Sequence, residues 1–89
     1  MTAPVQITLL TQTSCGMCEL AKEILARLGN EYLLSVTDVD LRTDEGNRLA
    51  AEAGVLFAPG VLVDGQPFSY GRLSERKLRR ALDRRAAAR

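Results

Sequence analysis

Asp64-Gly65 restricts the folds open to this chain more than any other pair of residues. It lies between Val61-Leu62-Val63 and the run Gln66 to Tyr70. An Asp-Gly step between two strand-like runs is the strongest short-range signal for a tight hairpin. The last two strands are therefore antiparallel neighbours, and Pro67 in the returning strand puts that strand at a sheet edge. At the other end of the chain, Val5, Ile7 and Leu9 alternate with Gln6 and Thr8, the period of a strand. A second strand covers about Leu33 to Asp40, with Leu34, Val36 and Val39 as buried candidates. Between these two, Leu20, Ala21, Ile24, Leu25 and Leu28 recur at helical spacing as one inward stripe. Two strands joined through a helix run parallel. A parallel pair and a hairpin in one short chain call for a mixed sheet.

The remaining elements fit that frame. Glu23 and Arg27 are placed for an i,i+4 ion pair, and Gly29-Asn30 suits a left-handed close to the first helix. Thr43 is positioned to cap a second helix, with Asp44 and Glu45 in its first turn, Leu49 and Ala53 inward, and Gly54 at its end. Gly46 weakens that helix. Ser74 caps a last helix whose inward stripe is Leu78, Ala81 and Leu82, and the alanine-arginine stretch over 84–89 is expected to fray. The order is βαβαββα. The fold class is α/β: a four-stranded mixed sheet with helices on both faces.

Eighty-nine residues make a single domain, 1–89. Two cysteines are too few for a disulfide-stapled secreted scaffold. The start, "MTAPVQITLL", lacks the basic stretch and unbroken apolar run of a signal peptide, and no segment approaches the roughly 20 apolar residues of a membrane span. A cytoplasmic protein with no membrane partner is expected. The net charge of +1 conceals an asymmetry: from Arg72 onward eight basic residues face only Glu75 and Asp83, whereas residues 1–71 carry four basic against nine acidic ones. No aromatic residue interleaves with the late arginines to stack bases, so nucleic acid is not expected. They read as a solvated helix face or as a docking surface for an acidic partner.

"TSCGMCELA", residues 13 to 21, places Cys15 and Cys18 directly after the first strand, where the first helix opens. The spacing alone permits a disulfide-exchanging pair, half of a metal site, or two inert thiols. A helix N-terminus presents unpaired amide hydrogens and partial positive charge. The amides around Met17 and Cys18 would therefore face the Cys15 sulfur and lower its pKa from about 8.5 towards about 4–7. Cys18, one turn in, should be less exposed, which makes Cys15 the attacking thiolate and Cys18 the resolving thiol. The chain has no histidine, so a Cys-His nucleophile is excluded. Thr13 and Ser14 could hydrogen-bond sulfur or cap the helix. Ala58-Pro59 precedes the hairpin at the same end of the sheet. A cis bond there would hold an exposed backbone edge beside Cys15, where an extended substrate could pair, with Ala58 and Gly60 small enough to keep the groove open.

With these features in order, the chain resembles the thioredoxin-fold superfamily over about residues 5 to 83, and within it the small glutaredoxin-like redoxins. "CGMC" matches the C-x-x-C site, "APGVLVDG" the cis-proline and hairpin, and "YGRLSERKL" the glycine-containing turn into the last helix. The resemblance implies a thiol-disulfide oxidoreductase or electron carrier. Cys15 would be its nucleophile, Cys18 its resolving cysteine and Pro59 the cis-proline. Ser14, Gly16, Met17, Ala58 and Gly71 would line its substrate site. It implies a monomer without bound cofactor or metal, served by an external thiol or a reductase, and acting on a disulfide-containing protein or a low-molecular-weight disulfide. Gly16-Met17, Gln12 in place of a glutathione-holding lysine, and Leu9 in place of a buried acid depart from the usual patterns, so the electron donor stays open. Two other readings stand beside this one. Paired thiolates suit a soft metal or a shared cluster, as in small copper chaperones, although those end in a strand. A redox-inactive interaction domain is the third.

Overall fold

A computed structural model describes residues 3–88. Seven elements follow one another: β1 (Val5–Thr11), α1 (Gly16–Leu28), β2 (Leu34–Asp40), α2 (Asp44–Ala53), β3 (Gly60–Val63), β4 (Gln66–Tyr70) and α3 (Glu75–Ala88). They form one sheet in the order β2-β1-β3-β4. β1 and β2 are parallel, with Ile7 beside Val36, while β3 is antiparallel to β1, with Leu10 opposite Gly60. β4 pairs back on β3 through a turn in which Asp64 and Gly65 both have positive φ, 50° and 79°. That is the hairpin the Asp-Gly pair demands, with Pro67 on an edge strand.

The alternation along β1 and β3 divides the core. Val5, Ile7, Leu9, Val61 and Val63 face α1 and α3, meeting Ala21, Leu25, Leu28, Leu78 and Leu82. Leu10, Leu62 and Val39 face the other way, towards Leu49, Ala50 and Ala53 of α2. Helices thus cover both faces, α1 and α3 on one and α2 on the other.

Several expectations are corrected. Leu20 is 51% exposed, because the buried stripe of α1 is Cys18, Ala21, Leu25 and Leu28, and Leu20 stands on its flank. Val36 is also exposed, since β2 is an edge strand and the core on that face is built from β1 and β3. Arg27 reaches past Glu23 to Glu75 on α3, at 2.7 Å. The bond to Glu75 is the main reason the Arg27 pKa is raised, with the Glu23 charge a lesser one. Gly29 keeps a right-handed conformation (φ −63°), and α1 closes through tight turns from Asn30 to Arg27 and from Glu31 to Leu28.

Gly46 proves necessary: a Cβ there would strike the Asp40 carbonyl and come within 2.9 Å of Leu41 Cα, so α2 folds back this closely on the end of β2 only because this residue has no side chain. α3 is helical through Ala88, beyond residue 84, where fraying was expected; Arg89 lies outside the described residues. Its last turns are tied to the hairpin by Arg85, 3.0 Å from Asp64. The caps at Thr43 (Gly46 N–H to Oγ1, 3.0 Å) and Ser74 (Lys77 N–H to Oγ, 3.2 Å) form as expected. Among the described residues, no helix is long and apolar enough to cross a membrane.

Candidate active site

β1 delivers the chain to the C-terminal edge of the sheet, and residues 12–14 turn it into α1. Ser14 makes the reversal in the left-handed region (φ 56°), a conformation uncommon for a residue with a side chain. The helix cap is neither Ser14 nor Thr13. Cys15 itself occupies the cap position, its Sγ accepting the Cys18 N–H at 3.1 Å. Thr13 Oγ1 instead accepts from Arg42 Nη2 at 2.6 Å, and Arg42 also grips Asp40 from Nη2 at 2.9 Å. Arg42, which follows β2, thereby clamps the loop before Cys15 to the end of the neighbouring strand. The hydrogen bonds between Arg42 and Asp40 hold the Asp40 carboxyl below the usual carboxylate range and raise the guanidinium.

Cys15 and Cys18 form a disulfide, with Cα atoms 5.2 Å apart. Cys15 is half-buried and lines a cavity of about 470 Å³ with Gln12, Thr13, Ser14, Gly16, Glu19 and Lys22; Cys18 is 1% exposed. The pair is asymmetric in the sense its spacing implies, with the outer sulfur at the positive end of a 13-residue helix. Gly16 opens into space, with nothing within 4 Å of a built Cβ. Met17, 38% exposed, turns away from the cavity into a groove shared with Leu20, Ile24, Arg72 and Ser74. Lys22, on the cavity wall, is paired to Glu19 at 3.1 Å.

The second group of candidate residues lies across the strand ends. The Ala58-Pro59 bond is cis, and the Pro59 carbonyl accepts the Gly71 N–H at 2.8 Å. Gly71 has φ 79°, and a Cβ on it would come within 3.0 Å of the Phe57 ring. Because Leu10 pairs with Gly60, Pro59 and the loop after Thr11 share one end of the sheet. Ala58, Pro59 and Gly71 do not line the cavity at Cys15, however. Ala58 and Gly60 are buried, and Gly60 is small because Val55 and Leu10 crowd it, with Val55 Cγ1 2.8 Å from a built Cβ. Their size serves packing, and the expected open groove at their side chains is not found.

From the sequence Leu20 reads as a core residue, and Arg42, Phe57 and Tyr70 carry no site role. Phe57 and Tyr70 stack edge to face at 5.1 Å, both largely exposed beside Gly71. The one available signal was the apolar row Met17, Leu20 and Ile24, which makes α1 apolar over more than its core face needs. Among the described residues, no group of three or more His, Cys, Asp or Glu is placed to hold one metal ion.

The Glutaredoxin-like domain (DUF836) family matches residues 6–83. The chain belongs to that family. An uncharacterized protein of Mycobacterium tuberculosis strain H37Rv, Rv0508, is 39% identical over 77 residues, covering 83% of this chain and 78% of the relative. Among solved structures, the thioredoxin-like protein BC3987 is 27% identical with a TM-score of 0.68, over 85% of this chain and 99% of that one. A mutant thioredoxin from Halobacterium salinarum NRC-1 has a TM-score of 0.69 at 23% identity, over 90% of this chain and 73% of that one; the likeness there is one of fold. A glutaredoxin-like chain with the thioredoxin fold and a Cys15–Cys18 pair supports a redox-type role.

Proposed function

We propose that this glutaredoxin-like protein is a dithiol thiol-disulfide oxidoreductase that carries electron pairs to disulfides. The observation that carries this reading is the asymmetry at the start of α1: an accessible Cys15 sulfur on the Cys18 N–H, and a buried Cys18 one turn behind it. In the reduced protein the Cys15 thiolate attacks one sulfur of a substrate disulfide. A mixed disulfide forms, and the other substrate sulfur leaves as a thiolate that takes up a proton. Cys18 then loses its proton and attacks Cys15 Sγ. The second substrate thiolate is released and the Cys15–Cys18 disulfide closes. Two electrons have passed from the protein dithiol to the substrate. An external thiol or a reductase restores the dithiol, and no bound cofactor is required. When the disulfide is reduced, the Cys15 thiolate sits at the cap position, where the helix's positive end and the Cys18 N–H favour it. Ser14 and Gly16 shape the approach to Cys15, Met17 faces the adjoining groove, and Ala58, Pro59 and Gly71 are buried at the neighbouring strand ends. The protein acts as a cytoplasmic monomer on protein or small disulfides, a compartment consistent with its two-cysteine content.

Mass spectrometry of a Cys18→Ser variant exposed to a mixture of disulfides tests the mechanism. Adducts should accumulate on Cys15, and the Cys15→Ser variant should collect none. Absence of adducts while Cys15 still reacts with an alkylating reagent would refute it. Turnover of one disulfide with glutathione and its reductase, compared with thioredoxin reductase, identifies the donor.

A further inference from the structure

Every basic side chain before residue 72 has a carboxylate within reach: Lys22 has Glu19 at 3.1 Å, Arg27 has Glu75 at 2.7 Å, Arg42 has Asp40 at 2.9 Å and Arg48 has Glu52 at 3.3 Å. The C-terminal segment is different. Arg79 is bound to Glu31 and Arg85 to Asp64, but Arg72, Lys77, Arg80 and Arg84 have no carboxylate partner among the described residues. These four exposed cations line a single concavity of about 510 Å³ between β4 and α3, with Phe68, Ser69, Tyr70 and Ser74. Lys77, Arg80 and Arg84 share one face of α3, at spacings of three and four residues.

No acidic residue lines the concavity. The two carboxylates of this segment are both engaged elsewhere. Glu75 is bound to Arg27 and lies near Arg79, and Asp83 accepts the Tyr32 hydroxyl. Arg76 is also without a carboxylate partner among the described residues but stands alone outside the concavity, so the unpaired cations cluster here.

Three further features suggest what fills it. β4 is an edge strand, so its outer backbone groups are free to pair with an added extended segment. Ser69 Oγ, on that strand and in the concavity wall, is buried without a hydrogen-bond partner. Arg72 and Ser74 also line the groove that runs to Met17 within the C-x-x-C motif. The cationic cradle thus adjoins a groove that ends at Met17, two residues from Cys15, although Cys15 itself lines a separate cavity.

We propose that the groove between β4 and α3 docks an extended acidic segment of a protein whose disulfide is the substrate at Cys15. The identity of the partner rests on the oxidoreductase reading; the docking of an acidic segment does not. Charge matching of this kind mainly raises the rate of encounter and fixes orientation. It also selects among disulfides by their surroundings, which the half-buried Cys15 sulfur cannot do alone.

The test has two independent arms. In the first, a fluorescent, cysteine-free peptide with alternating Asp or Glu residues is titrated with the whole protein and followed by anisotropy. Comparison ligands are its Asn/Gln counterpart and a single-stranded oligonucleotide of equal charge. The acidic peptide should bind at least about tenfold tighter than the amide peptide, and weaken with added salt. A Lys77→Ala/Arg80→Ala/Arg84→Ala variant should lose about tenfold in affinity, whereas Arg76→Ala, which removes an equally exposed cation outside the groove, should change it less than about twofold. Equal binding of acidic and amide peptides would overturn the proposal, as would no loss in the triple variant. An oligonucleotide that binds as tightly as the peptide would also overturn it, by showing a general polyanion surface.

In the second arm, the reduced protein acts on an acidic peptide disulfide and on neutral hydroxyethyl disulfide. The triple variant should slow only the first. Equal slowing of both, or of neither, removes the link between cradle and substrate. Failure of the wild type on both disulfides refutes the oxidoreductase reading, while the first arm still decides the docking.

Discussion

On one face of the sheet, Ile7, Leu9, Val61 and Val63 meet Ala21, Leu25, Leu28, Leu78 and Leu82 from two helices; on the other, Leu10, Val39 and Leu62 meet α2 alone. The α2 residues that pack on the sheet, Leu49, Ala50 and Ala53, are only half-buried, and the one fully buried α2 residue is a glycine. The consequence for the site is direct. α1, which carries both cysteines, belongs to the thick core, so the outer sulfur is presented on a rigid platform. α2 belongs to the thin one, where little apolar area is withdrawn from water and local opening costs less. The molecule therefore carries its cysteine pair on its more thickly packed side.

The largest expected effect comes from the thick face. Leu78→Ala should cost about 2–5 kcal/mol, read by urea unfolding, whereas Leu49→Ala on the thin face should cost about 1 kcal/mol. Comparable losses would erase the distinction between the faces. Gly46→Ala comes next. Helix propensity alone would favour it by about 1 kcal/mol. The collision with the Asp40 carbonyl reverses the sign, to a net loss of about 1–3 kcal/mol. Amide exchange should quicken in α2 while β1 stays protected. Stabilisation by this substitution would mean that α2 does not approach β2 as closely as described.

The smallest effect is electrostatic and belongs to the thick face. Glu31 and Glu75 have pKa values held below the ordinary carboxylate range, chiefly by hydrogen bonds from Arg79 and Arg27. A depressed carboxyl contributes stability that is fully present above its unfolded pKa of about 4.3 and is lost as pH falls through the folded value. Stability should therefore be level near neutrality and decline in acid. Glu31→Gln should flatten part of that decline, and salt should weaken it because these pairs are exposed. An acid transition unchanged in Glu31→Gln would show that the pair makes no contribution.

Much of this arrangement was legible from local chemistry. The alternation of Val5, Ile7 and Leu9, the Asp64-Gly65 turn, and the caps at Thr43 and Ser74 depend on neighbours a few residues away, and each forms as expected. What was not legible depends on packing between distant segments. Leu20 looks like a core residue by spacing, yet it flanks the stripe that α1 buries. Val36 alternates correctly but sits on an edge. Gly46 reads as a flaw until the Asp40 carbonyl is brought against it. At the site, the order of Cys15 and Cys18 along the helix announced which cysteine would be the more deeply buried. That Cys15 would cap its own helix, while Thr13 is claimed by Arg42, was not visible, because Arg42 is 29 residues away. The cradle was half visible: the excess of late cations is plain in the sequence, but which of them have partners is decided by Glu31 and Asp64.

The two tyrosines extend the contrast between paired and unpaired groups. Tyr32 donates a hydrogen bond from its hydroxyl to Asp83, which raises its pKa, and Tyr70 stands in the wall of the cationic groove against Phe57. With no tryptophan in the chain, no indole masks tyrosine emission or drains it by energy transfer. A carboxylate-bound phenol such as Tyr32 fluoresces weakly, so the signal should come mainly from Tyr70. The protein thus carries an intrinsic optical reporter at the mouth of its basic groove, one that can follow a docking event without any added label.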